Sequence, residues 1–312
     1  MRIRGKLLAA AVPAAVTLLA SACSSAGAMP SGASGSSARI VAVGAENEYT
    51  SVIQQVGGRY VQASAIMSNP NADPHTFEAS TSIAREVGGA RLVVQNGLGY
   101  DTFMDSIENA TPDSGRKVID VQKLLGLPDS TPNPHLWYRP STMPAVADAV
   151  AADLASLDPA HASYFRANAR AFIASLAGWN RAIAAFKARY PDTPVAVTEP
   201  VADYMLQAAG TDIKTPFAFQ ADIMNGVDPS AQDVALEKGL FTRHEVKVFL
   251  YNQQVTDPLT QSLISLAGQN GIPVVGVYET MPTPGYDYQS WMLAEVHDLQ
   301  KAVAHKTSTE KL

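Results

Sequence analysis

Residues 172–190 read FIASLAGWNRAIAAFKARY, and within them Phe172, Leu176, Trp179, Ile183, Phe186 and Tyr190 recur at alternating spacings of four and three. That period places all six on one face of an α-helix. Carried back to about Ala160, such a helix runs roughly 45 Å at 1.5 Å per residue. It is long enough to lie along two lobes rather than merely connect them. Pro191 and Pro194 close it, and Asp158-Pro159 separates it from an earlier helical stretch that begins at Met143. The aromatic stripe itself reads as core packing.

On both sides of this helical stretch, short β-rich runs alternate with helical patterns, the sequence sign of a parallel α/β architecture. The first set places strands at residues 39–43, 61–66, 91–95 and 117–121; the second places them at 195–198, weakly near Ile213, and at 246–251 and 273–278. Two βα sets imply two lobes. The expected fold is therefore α/β, with two Rossmann-like βα lobes bridged by a long rigid α-helix. A final helix is expected over residues 288–305, with Trp291, Met292, Val296, Leu299 and Val303 on its apolar face.

The N-terminus carries Arg2, Arg4 and Lys6 before an apolar run from Leu7 to Ala20 and then small residues, the layout of a secretory signal peptide. The run is shorter than the roughly 20 residues of a spanning helix. Cys23 is the single cysteine and follows Leu19-Ala20-Ser21-Ala22, which resembles the bacterial lipoprotein signal, although Leu19 stands one residue further out than usual. A lone cysteine cannot close an internal disulfide, and lipidation gives it a use. Residues 24–37 are Ser, Gly and Ala with few other residues, the composition of a flexible tether. The expected organisation is a signal peptide at 1–22, a lipid-anchored tether at 23–38, an N-terminal lobe at 39–142, an interlobe helical segment at 143–191 and a C-terminal lobe at 192–312. The formal net charge is −6, and loss of three basic signal residues makes it more negative. This balance argues against nucleic acid or anionic lipid as the partner.

Four residues could carry chemistry. His75 lies in the polar loop Asp73-Pro74-His75 after the second expected strand, and His135 lies in the proline-dense loop Asn133-Pro134-His135. Glu199 and Glu279 each follow an expected strand of the second lobe, in Thr198-Glu199-Pro200 and Tyr278-Glu279-Thr280. Singly, each has an ordinary reading as a loop histidine facing water or a solvated turn glutamate. In open α/β sheets, however, ligands bind outside the carboxyl ends of strands, where all four fall. Imidazole and carboxylate are ligands that Zn2+ and Mn2+ accept, and four protein ligands leave little room for the water that catalysis needs. Asp73 is a candidate to orient the His75 ring through its other nitrogen. His161, His244, His297 and His305 have surface contexts, and no HExxH, CxxC, GxSxG or P-loop pattern occurs.

Asp73-Pro74-His75-Thr76-Phe77-Glu78, Asn96-Gly97-Leu98-Gly99-Tyr100, Asn133-Pro134-His135-Leu136-Trp137 and Thr198-Glu199 together resemble the motifs of the metal-binding lipoproteins of bacterial ABC importers for zinc and manganese, the ZnuA-like or adhesin-like solute-binding proteins. The resemblance covers almost all of the chain beyond the tether. Its fourth ligand is usually an Asp, where this chain has Glu279. The resemblance implies two α/β lobes with the metal held between them, His75 and His135 from one lobe and Glu199 and Glu279 from the other. It further implies a monomeric, extracytoplasmic, membrane-anchored receptor that hands Zn2+ or Mn2+ to a permease driven by an ATPase subunit and catalyses nothing itself. The rival readings are an exported metallohydrolase, with Glu199 or Glu279 as general base, and a surface adhesin with a structural metal.

Overall fold

The structure, a computed structural model, describes residues 39–71 and 77–312. The expected signal peptide and tether, Cys23, Asp73 and His75 lie outside the described residues. Strands β1 (Ile40–Glu46), β2 (Val61–Met67), β3 (Leu92–Gln95) and β4 (Lys117–Asp120) form one parallel sheet in the order β2-β1-β3-β4. Strands β5 (Pro194–Val197), β6 (Asp212–Ile213), β7 (Val248–Asn252) and β8 (Val274–Val277) form a second in the order β6-β5-β7-β8. Each of the eight expected strands is present. The largest difference is at β1, which continues past Val43 because Gly44 pairs with Ala65 and Glu46 with Met67. The Glu46 side chain at its end is buried.

Both sheets reverse strand order at the same place, between β1 and β3 and between β5 and β7. Such a switch point opens a crevice beyond the strand carboxyl ends. Glu46 and Asn252 end strands there, while Asn96 and Glu199 follow within two residues of β3 and β5.

The expected continuous helix is divided at Leu176 into α6 (Ala162–Ser175) and α7 (Ala177–Arg189). The Ser175 hydroxyl donates to the Phe172 carbonyl at 2.6 Å, and the Leu176 amide donates three residues back to Ile173 at 3.2 Å, so the last turn tightens and the i−4 ladder lapses for one residue. Asn180 restarts it by donating to Leu176. The break has an architectural sense. Helix α6 packs on α1 (Asn47–Gly57) and α5 (Thr142–Leu157) of the first lobe, whereas α7 packs on α8 (Asp203–Ala208) and α12 (Tyr288–His305) of the second. The apolar stripe runs through the break with Phe172, Leu176, Trp179, Ile183 and Phe186 all buried, as the core reading required.

One apolar core joins the lobes, containing Val94 of the first sheet, Trp137 of the 3-10 turn Leu136–Tyr138, Val277 of the second sheet and Trp291 of α12. Beyond β8 the chain returns at Thr309 to pair with Val275, and Gly276 permits this approach, since a Cβ there would stand 2.2 Å from the Glu310 carbonyl oxygen. Among the described residues no helix is long and apolar enough to cross a membrane.

One buried acid sets a pH dependence of stability. Glu237, on α10 (Ala231–Thr242), is fully buried, accepts a hydrogen bond from the Thr215 hydroxyl at 3.2 Å, and is pushed by burial to about 8. Between the unfolded carboxyl value and about 8, the native state holds a proton that the unfolded chain has released. Stability from this group is therefore full at low pH and falls by about 1.4 kcal/mol per unit as pH rises through that window. Glu237→Gln is expected to flatten the decline in Tm between pH 5 and pH 8; equal slopes in both proteins would refute the assignment.

Candidate metal centre

His135 follows Pro134 and precedes a one-turn 3-10 helix, Leu136–Tyr138, and its side chain is completely buried. Asn133, two residues earlier, accepts from the His135 backbone amide at 2.9 Å and faces its Nδ1 at 2.8 Å through the same oxygen, while its own amide donates to the Pro200 carbonyl at 2.7 Å. The donation to Pro200 fixes which end of the Asn133 amide carries oxygen. Nδ1 of His135 must then carry a proton, so that in the neutral ring Nε2 is the nitrogen with the lone pair. Nε2 points at Glu279 Oε2, 3.3 Å away. Were His135 a metal ligand, Asn133→Ala would weaken metal binding by about 10- to 100-fold, the usual effect of losing a partner that orients a ligating histidine. Direct titration measures it, and an unchanged affinity would refute the role.

Glu279 stands two residues beyond β8 and is fully buried. The Gln254 side-chain oxygen holds its backbone amide and that of Thr280, at 2.7 and 2.8 Å. Its Oε2 accepts from the Tyr100 hydroxyl at 2.8 Å and its Oε1 from the Asn252 side-chain amide at 2.5 Å. The same Asn252 nitrogen lies 3.2 Å from Glu199 Oε1. Glu199 leaves β5 next to Thr198, whose amide donates to Leu250 and whose hydroxyl accepts from the Asn252 amide. His135, Glu279 and Glu199 are thus brought to one place, and all three are buried. Among the described residues, no three His, Cys, Asp or Glu side chains are spaced to hold a metal by themselves.

The first lobe supports this place through the turn after β3. Gly97 adopts φ +79°, and a Cβ there would meet the Asp120 carboxylate and Gln122 at 2.8 Å, so only glycine fits. Asp101 accepts from the Asn96 and Gly97 backbone amides at 2.6 and 2.9 Å, which closes the turn and aims Tyr100 at Glu279. Asn96 also donates to the Pro134 carbonyl, tying the turn to the His135 loop. Burial, followed by the charge of Glu279, holds the Tyr100 phenol well above its ordinary value, so it remains a donor. Nearby, burial pushes the Glu46 and Glu48 carboxyls well up and Asp101 to about 7.

The lobes are fastened around the centre. Asn47 exchanges two hydrogen bonds with the Met281 backbone at 2.8 and 3.0 Å, Tyr138 donates to the Tyr278 carbonyl at 2.9 Å, and Tyr204 donates to the Asn133 carbonyl at 2.9 Å. Sequence reasoning did not single out Asn133, Tyr100, Asn252 or Gln254 as functional. The first two stood inside motifs already of note, and Asn252 could have been found as the polar residue closing a strand at a switch point. Gln254 had no signal, because its role depends on where β8 ends.

Two parallel βα lobes thus meet where an imidazole and two carboxylates lie close together. The family model for the zinc-uptake complex component A, periplasmic (ZnuA), matches residues 43–302, and the chain belongs to this family. The manganese-binding lipoprotein MntA of Bacillus subtilis (strain 168) is 26% identical over 125 residues, covering 38% of this chain and 40% of that protein. A putative metal-binding protein of Treponema pallidum is 24% identical over 142 residues, covering 40% of this chain and 45% of that protein, so the chain spans less than half the length of these curated relatives. Among solved structures, the fold is shared with the periplasmic zinc binding protein TroA from Treponema pallidum (TM-score 0.72, 17% identity, 86% of this chain and 99% of that one). It is shared also with FpvC from Pseudomonas aeruginosa in complex with Mn2+ (TM-score 0.70, 20% identity, 86% and 99%).

Proposed function

We propose that this protein captures a divalent transition metal, Zn2+ or Mn2+, between its lobes outside the cytoplasm and delivers it to an ABC permease and its ATPase subunit. The carrying observation is the approach of His135 Nε2 to Glu279, with Glu279 and Glu199 joined through Asn252 beyond the ends of β5, β7 and β8. His75 is the fourth ligand in this reading, with Asp73 orienting it. Two neutral imidazoles and two carboxylates neutralise a divalent ion, which makes its burial tolerable. Because both lobes contribute, metal binding stabilises the closed arrangement, and its release requires the interlobe hydrogen bonds to part.

The protein works as a monomer and performs no reaction. It is held at the membrane by an acyl group on Cys23, with residues 1–22 removed, 23–38 as tether, lobes at 39–142 and 192–312, and 143–191 between them. Mass analysis of the N-terminal peptide tests the anchor. Metal content and competitive titration of the purified protein test the function: one Zn2+ or Mn2+ per chain is expected, and His75→Ala is expected to lose it. Stoichiometric binding that survives His75→Ala would remove that residue from the site, and no binding at all would end the carrier reading.

A further inference from the structure

Strand β8 closes the second sheet and pairs with β7 along one edge only. An edge strand leaves a row of backbone donors and acceptors without strand partners. Here the segment 308–312 supplies them. The Val274 amide donates to the Ser308 hydroxyl at 3.0 Å, the Thr309 amide to the Val274 carbonyl at 2.9 Å, and the Gly276 amide to the Thr309 carbonyl at 2.9 Å. The last two make Thr309 a parallel partner of Val275. Further along, the Glu310 carbonyl accepts from the Tyr251 hydroxyl at 3.3 Å and from the Gln253 side chain, and the Leu312 amide donates to the Tyr278 hydroxyl at 3.3 Å. The segment thus grips the chain from Val274 to Tyr278, the residue before Glu279.

We infer that residues 308–312 are a strap that positions Glu279 at the metal centre. This rests on the metal-carrier reading and deepens it. Gln254 holds the Glu279 backbone amide from the β7 side, a contact that lasts only while β8 keeps its register on β7. Because β8 has just four residues, pairing along its second edge is a large part of what keeps its end in place. Gly276 admits the strap. A Cβ there would collide with the Glu310 carbonyl oxygen, a backbone atom that cannot swing aside. Gly276 lies outside the left-handed region, so alanine suits its own backbone, and the substitution acts on the strap and the Gln253 side chain beside it.

The test disturbs the contact from its two sides, with Gly276→Ala on β8 and Thr309→Pro, which removes the amide donor of the strap. Zn2+ titration of each full chain is expected to show affinity lowered by about tenfold, the lower end of what losing a ligand's outer support costs. Thr309→Ala keeps the amide and is expected to bind as the wild type does. In a Glu279→Gln background, Gly276→Ala is expected to cost little further affinity, because the carboxylate that the strap positions is gone; a merely structural strap would cost the same in both backgrounds. Hydrogen exchange of the metal-free protein gives a readout without metal, and the Glu279 and Thr280 amides are expected to exchange faster in both strap variants. Unchanged Zn2+ affinity and unchanged exchange at these amides in the two folded variants overturn the inference while leaving the carrier intact. If the wild type itself binds no Zn2+, the carrier reading falls, and the exchange rates alone decide whether the strap holds Glu279.

Discussion

Glu279→Ala is expected to weaken Zn2+ and Mn2+ binding by more than about 100-fold, since replacing even an outer partner of a ligand costs 10- to 100-fold. The side chain is the junction of the centre, touching Tyr100, Asn252 and His135. Its removal therefore also leaves buried donors unsatisfied, at about 1–3 kcal/mol each. Glu279→Gln separates the two effects. It keeps an acceptor and nearly the same volume, so the fold should hold, but it removes the negative charge that offsets the cation. Calorimetric titration of both variants measures the outcome, and affinity within a few-fold of the wild type in Glu279→Gln would exclude the carboxylate as a ligand.

Trp291→Ala is expected to be the most destabilising single change, by about 3–5 kcal/mol. The indole is completely buried on α12, packs edge-on against Tyr138 and Tyr288 at 5.7 and 6.4 Å, and donates to Glu295 at 3.0 Å. Tyr138 comes from the loop that carries His135, and its hydroxyl donates to the carbonyl just before Glu279. The cavity thus opens at the seam of the lobes, beneath the metal centre. Denaturant unfolding should show a lowered midpoint, and metal affinity should fall with it; a loss under about 1 kcal/mol would mean that the seam repacks freely.

Much of the fold was legible because hydrophobic period is a local property. The eight strands, the helix Tyr288–His305 and the buried stripe from Phe172 to Phe186 all follow from spacing. The division at Leu176 was not legible, since it arises from a serine bonding its own helix where the chain passes from one lobe to the other. The same distinction runs through the site. Glu199 and Glu279 are named by strand-end position and His135 by its proline-dense loop and motif, and the structure brings these three close together, while His75 lies outside the described residues.

By itself, then, the sequence determined the architecture and the types of donor that meet, because helix and strand periods and proline-flanked loops are written residue by residue. Tertiary structure alone decided how those donors are held. Asn252 reaches two glutamates that are 53 and 27 residues away in the chain, and Tyr100 reaches Glu279 across 179. The first two bonds exist only once β5, β7 and β8 lie side by side in one sheet, and the third only once the two sheets face each other. No local pattern encodes which oxygen of a carboxylate they occupy.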